Sequence, residues 1–172
     1  GRHKVTFKRR GERLEVRIKV TVDYRLLFIP IYRFEHDAHE IWKDGALQEL
    51  RTTTNDNGES YDVVVQPRET GMLLTVNGEE HDVRRDAVPS SLWRQDMARS
   101  GQLIDPADGE VMRVNVSDAK WVQVTVRGAT IRARYFVMTG DLERELWYDS
   151  AGMLVKVRFS GDDGSELQFR ML

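Results

Sequence analysis

Leu14-Glu15-Val16-Arg17-Ile18-Lys19-Val20-Thr21-Val22-Asp23-Tyr24-Arg25 is the stretch that decides the fold class. Every even position from Leu14 to Tyr24 is apolar or aromatic, and every odd position from Glu15 to Arg25 is charged or polar. That is the two-residue period of a strand with one face on a core and the other in water. At roughly 3.3 Å per residue it would run about 40 Å, far beyond the usual strand of five or six residues. A strand of this length needs long neighbours, so the stretch predicts a large, curved antiparallel sheet with one apolar face.

Working outward, His3 to Arg9 forms a shorter strand joined through the Arg10-Gly11-Glu12 turn. Further strands are predicted near 31–43, 47–54, 60–67, 71–77, 79–84, 111–117, 120–127, 130–139, 142–149, 153–160 and 165–171. Between them lie Asp44-Gly45, Asn57-Gly58, Asn77-Gly78, Asp108-Gly109, Arg127-Gly128, Ala151-Gly152 and Asp163-Gly164. These are residues that tolerate the positive φ of hairpin turns. One short helix is predicted near 90–100, where Ser90-Ser91 can cap and Leu92, Trp93, Met97 and Ala98 supply an apolar stripe. The expectation is an all-β single domain, residues 1–172, with that one helix.

The chain has 172 residues, 26 Lys+Arg, 28 Asp+Glu, four histidines and no cysteine. The absence of cysteine excludes disulfides, thiolate metal sites, iron–sulfur clusters and thiol nucleophiles. No run approaches the ~18 apolar residues of a spanning helix. Net charge is −2, yet residues 1–34 hold ten basic and three acidic side chains, leaving sixteen and twenty-five for the rest. A basic start is joined to an acidic remainder.

A possible internal repeat spans about 31–67 and 136–171. Glu40-Ile41-Trp42-Lys43-Asp44-Gly45-Ala46-Leu47 parallels Glu145-Leu146-Trp147-Tyr148-Asp149 followed by Gly152-Met153-Leu154. Convergence of hairpins on Trp and Asp-Gly for packing and turn chemistry accounts for this as well as duplication does.

Phe28-Ile29-Pro30-Ile31-Tyr32-Arg33-Phe34, Glu40-x-Trp42-x-Asp44-Gly45-x-Leu47, Thr54-Asn55-Asp56-Asn57-Gly58-Glu59, and Thr139-Gly140-Asp141-Leu142 with Leu146-Trp147-Tyr148-Asp149 resemble an uncharacterised family of exported bacterial proteins, a domain of unknown function. The Trp-Tyr-Asp hairpin is also similar to that of periplasmic proteins of the outer-membrane lipoprotein-carrier fold. That likeness implies a half-barrel or clam-like sheet over an apolar cavity. The family resemblance implies a periplasmic or secreted protein with its signal peptide removed, and a start at Gly1-Arg2-His3 is expected of a mature or trimmed form.

Candidate chemistry is sparse. His36 and His39 are three apart, which on a strand puts them on opposite faces, so no metal site is expected there. Asp105-Pro106-Ala107-Asp108-Gly109-Glu110 and the other acidic loops lack EF-hand spacing and read as turns. No phosphate-binding glycine loop, nucleophile elbow or Ser/His/Asp set occurs, so no enzyme activity and no cofactor are expected.

Alternation places Tyr32, Phe34, His36, Ala38, Glu40 and Trp42 on one face, with Glu35, Asp37 and His39 on the other. Likewise Glu143, Glu145 and Trp147 share a face, near a strand carrying Arg132, Arg134, Phe136 and Met138. These arginines and glutamates either form structural salt bridges across a hairpin or line an otherwise apolar cavity and hold a head group. Leu26 to Tyr32 is apolar where a connection is ordinarily polar. Either Pro30 marks a bulge with its neighbours packed inside, or the loop forms the lip of a cavity or meets a membrane or partner. In the second case, the adjoining arginines and lysines suit phosphate head groups.

The function expected is non-enzymatic binding of a lipid or other hydrophobic ligand in the concavity of the sheet. Tyr32, Phe34, Trp42, Phe136, Met138 and Trp147 would line it, Glu40, Arg134 and Glu145 would make polar contacts, and Phe28 and Ile29 would stand at the lip. The alternative is a scaffolding module that binds a protein through edge strands and the loop 26–32. Nucleic acid is not an expected partner, for want of a basic balance and interleaved exposed aromatics.

Overall fold

In a computed structural model, the alternating stretch lies within one strand of fourteen residues, Arg13–Leu26. The structure describes residues 1–27, 29–126, 128–160 and 166–170. The chain is all-β, as expected, and divides into two compact units, residues 1–87 with 104–110 and residues 88–103 with 111–172.

The first unit is a seven-stranded meander of β1 (Arg2–Arg10), β2 (Arg13–Leu26), β3 (Ile29–Lys43), β4 (Ala46–Asp56), β5 (Glu59–Arg68), β6 (Gly71–Val76) and β7 (Glu79–Val83), each hydrogen-bonded to the next. Three of its hairpins turn where the sequence predicts. Asp44-Gly45, Asn57-Gly58 and Asn77-Gly78 have positive φ at both central residues, the backbone whose twist matches paired strands. Register fixes the faces: Val16 opposes Glu40 and Ile18 opposes Ala38, while Glu40 opposes Leu50 and Ala38 opposes Thr52. These residues are buried, with Val63, Val65 and Leu74.

Across this face runs the segment 104–110. Thr52 donates its hydroxyl to the Pro106 carbonyl at 2.7 Å. A Cβ on Gly109, whose φ is +84, would fall 2.3 Å from Val76 Cγ2, so only glycine lets the loop approach so closely. The acidic stretch is held by its own backbone: Gly109 N–H donates to the Asp105 carbonyl, and Asp105 N–H to the Glu110 carbonyl. Turn chemistry accounts for it, as expected, and its role is to cover the apolar face.

The second sheet holds β8 (Val88–Pro89), β9 (Gln102–Ile104), β10 (Val111–Val116), β11 (Lys120–Val126), β12 (Ala129–Gly140), β13 (Arg144–Tyr148), β14 (Leu154–Ser160) and β15 (Glu166–Arg170). β12 is central, with β13 along one side and β10 and β11 paired to successive parts of it. The strands thus form two sheets where one large sheet was expected.

The predicted helix contracts to a single 3-10 turn, Met97–Arg99. Leu92 has φ +46, Arg94 bridges Met153, and the Trp93 carbonyl accepts from Leu154 N–H. Backbone groups that a helix would satisfy internally are committed to the hairpin of β13 and β14. The apolar stripe is still used: Leu92, Trp93, Met97 and Ala98 are all buried.

The two similar hairpins fall one in each unit. Each carries a register shift beside its tryptophan, between Ile41 and Trp42 in one and between Trp147 and Tyr148 in the other.

Candidate functional site

β3 carries four of the expected site residues on one face, and the structure grades them by burial. Trp42 and Glu40 are core, with Glu40 fully buried and accepting from Trp42 Nε1 at 2.7 Å. They are not available to a ligand. Further along the strand, Phe34 and His36 are half-buried, their rings stacked with centroids 6.1 Å apart. Tyr32 and its cross-strand neighbour Tyr24 are exposed, at 37% and 56%. Val22 opposes Phe34 and Val20 opposes His36, all half-buried. The apolar alternation of β2 and β3 therefore continues well past the part of the face that is covered.

Polar groups sit along one side of this strip. His36 Nδ1 lies 2.9 Å from Thr54 Oγ1. Burial pushes the His36 imidazole below its ordinary range, against the pull of Asp37, and His3 lowers it slightly further. The Tyr32 phenol is raised, first by burial and then by its hydrogen bond to Asp56. His39 lies on the opposite face, as predicted, 4.0 Å from Glu15. Among the described residues no group of three His, Asp or Glu side chains could hold a metal.

The lip residues resolve differently. β2 and β3 continue as a paired hairpin to Leu26 and Ile29, with a register shift between Tyr24 and Arg25 opposite Pro30. The bulge is present, but its neighbours are not packed inside: Leu27 is 85% exposed and Ile31 is exposed. Phe28 lies outside the described residues, as does the side chain of Ile29.

The remaining candidates belong to the second unit, where register separates them. Phe136 and Met138 are core. Phe136 packs edge-on to Tyr148 at 5.7 Å, and the Tyr148 hydroxyl donates to the Leu92 carbonyl at 2.9 Å. Arg134 opposes Tyr148, whereas Val137 opposes Glu145, so Arg134 and Glu145 point to opposite faces. The expected pairing of these two, as salt bridge or as joint head-group contacts, does not occur.

Glu145 instead pairs with Arg158 of β14 and accepts from the Tyr135 hydroxyl at 2.8 Å. These contacts, the Arg158 bond first, hold its carboxyl below the usual range. Arg134 and Arg132 lie over the exposed Trp121 ring, at 5.2 and 4.4 Å. Trp147 is buried with Val124, Val126, Ala133 and Val155, under the Lys156 ammonium at 4.2 Å. A polar-lined cleft of about 330 Å³ lies among Arg99, Asn115, Ser117 and Asp118, with Phe136 its single expected member. Sequence reasoning missed Trp121, Tyr135 and Arg158. The alternation of β11 and β12 was legible, but which strands lie beside them was not.

No helix of the described residues is long and apolar enough to cross a membrane. Comparison with curated proteins finds no match. Among solved structures, a protein of the DUF1089 family from Pseudomonas aeruginosa is similar at 11% identity and a TM-score of 0.47, over 90% of this chain and 88% of that one. Residues 1–172 match the family described as a domain of unknown function, DUF6134, and the chain belongs to that family.

Proposed function

We propose that this is a non-enzymatic protein that binds an amphiphile on the uncovered continuation of the first sheet's apolar face. The observation that carries the proposal is the gradient along β2 and β3: an apolar face, unbroken on β2 and interrupted on β3 only by His36, runs from fully buried Ala38 to Tyr24 at 56% exposure. A solvated strand end has no need of Val20, Val22, Phe34 and two tyrosines on one face. An acyl chain or comparable apolar group laid along the strip would complete the burial, with His36, Thr54 and Asp56 beside it for a polar head.

Magnitude limits what the strip can do. An aromatic side chain carries roughly 150–250 Å², so covering what remains exposed of Tyr24 and Tyr32 yields about 4–5 kcal/mol at ~25 cal/mol per Å². That corresponds to roughly millimolar affinity. Useful binding therefore needs a ligand long enough to cover Val20, Val22 and Phe34 as well.

The alternative, a scaffold that captures a partner by strand addition, is disfavoured by β1. This edge strand carries Arg2, Lys4, Lys8, Arg9 and Arg10, the charges that blunt edges against pairing. A periplasmic or secreted location rests on the resemblance to exported proteins; fractionation of cells making the natural gene product tests it.

Native mass spectrometry and solvent extraction of the purified protein test the ligand. A co-purifying amphiphile, lost in Phe34→Asp while the fold persists, supports the proposal. A folded protein that takes up no fatty acid or phospholipid when offered one would sink it.

A further inference from the structure

The face of β2 that carries no core residues is charged in a way that local structure does not explain. Register sets Lys4 directly opposite Lys19 and Arg10 opposite Arg13, with Arg17 beside Thr6. Along the stretch paired with β1, Arg13 to Thr21, Glu15 is the one acid on the outward face. Arg13 is paired to Glu15 and Lys19 to Asp37 of β3. Arg2, Lys4, Lys8, Arg10 and Arg17 are exposed and have no ion-pair partner among the described residues.

Like charges directly opposite each other destabilise a sheet. Protection of an edge explains lysines on β1, and the ion pair to Asp37 explains Lys19, but β2 is an internal strand with a neighbour on both sides, so neither explains Arg17. The same strand ends in a turn whose chemistry is equally odd. Leu27 stands at φ +58 and is 85% exposed, at a position where glycine or asparagine would be unstrained. Ile31, across the hairpin, is exposed as well. Arg25 and Arg33, beside them, are neutralised by Asp23 and Glu35, so the unpaired positive charge begins lower on the ribbon.

We propose that the outward face of the β1–β2 ribbon, with the apolar tip at Leu27, docks on an anionic lipid bilayer. The unpaired cations meet phosphate head groups, and Leu27 and Ile31 enter the interfacial layer. Nucleic acid or an acidic protein would satisfy the charges but would leave the apolar tip without a role. Thr21, opposite Arg2, is six residues from Leu27, roughly 20 Å at about 3.3 Å per residue. The strands must therefore lie inclined to the bilayer for both features to touch it. The ligand strip occupies the opposite face of the same strands, so docking would leave it accessible.

Flotation of the whole chain with vesicles of phosphatidylglycerol and phosphatidylcholine, against phosphatidylcholine alone, tests this. The expected result is flotation with the anionic vesicles only, weakened by salt. Lys4→Glu with Arg17→Glu should cost about tenfold or more in partitioning, and Leu27→Ser several-fold, with thermal melts confirming the fold. If charge reversal prevents folding, Lys4→Gln with Arg17→Gln gives the smaller loss in the same direction. Absence of flotation, equal partition to neutral vesicles, or charge variants without effect would overturn the proposal. Salt-sensitive binding that ignores Leu27→Ser and is matched by heparin would show a general polyanion contact and overturn it too. Measuring co-purifying amphiphile in the same variants separates the two proposals: Lys4→Glu with Arg17→Glu should leave ligand content unchanged, and Phe34→Asp should leave flotation unchanged.

Discussion

At the scale of single residues, three positions show how the core of the first sheet is specified. Trp42 supplies a donor to the buried Glu40 carboxyl, and a buried polar group that loses a partner costs about 1–3 kcal/mol. Trp42→Phe should therefore destabilise by about 2–3 kcal/mol, read as a lower urea midpoint at unchanged slope. Gly109 combines φ +84 with a Cβ position that overlaps Val76. Gly109→Ala should cost about 1–3 kcal/mol by the same measurement. Burial lowers the pKa of His36 in the folded chain, while in the unfolded chain it takes a proton at about pH 6.5. As pH falls below that value the unfolded state gains the proton first, so stability declines toward the depressed folded pKa. In His36→Gln that part of the pH dependence should disappear from the denaturation midpoints. The placement of Glu40, Trp42 and His36 on one face was legible from the two-residue period. That Glu40 and Trp42 are buried deeply while His36 is half-buried depends on which distant segments cover each part of the face, which no local pattern encodes.

Among elements, register is what separates a plausible site from an actual one. Arg134 and Glu145 sit on adjacent strands with the right charges, yet Arg134 opposes Tyr148 and points away from Glu145. Because the side-chain period of a strand is two, an offset of a single residue sends a partner to the other face. Glu145 finds Arg158 across the next hairpin, and its carboxyl pKa is lowered. A lowered carboxylate pKa contributes stability that is present above the unfolded value of about 4.3 and is lost as pH falls through the folded one. Wild type should lose this contribution on acidification and Glu145→Gln should not, with a difference that is constant near neutral pH and narrows as pH falls below about 4.3. The pair is partly exposed, so the effect is small. Strand positions themselves were well read, because Asp-Gly and Asn-Gly turns mark their ends. The helix was not: its apolar stripe is real, but the segment's backbone is recruited by β13 and β14.

For the whole molecule, the path of the chain makes a prediction of its own. The first unit is completed only when residues 104–110 return to it, placing Pro106 and Gly109 over Thr52, Val63 and Val76. A fragment ending at Ala87 leaves that apolar face bare and should aggregate or melt broadly. One ending at Glu110 should unfold at a higher temperature, as followed by circular dichroism. By itself the sequence determined the all-β class, the longer strands, the Asp-Gly and Asn-Gly turns of the first sheet and the two faces of those strands, because alternation and turn chemistry act within a few residues; Val88–Pro89 and Gln102–Ile104 carry no such signal, and the Asp163-Gly164 turn lies outside the described residues. The division into two sheets, the cover over the first, the partners of Glu145 and Arg134, and the uncovered aromatic strip were decided only in three dimensions. They depend on which distant segments meet, and a period of two records which way a side chain points, not what it finds there.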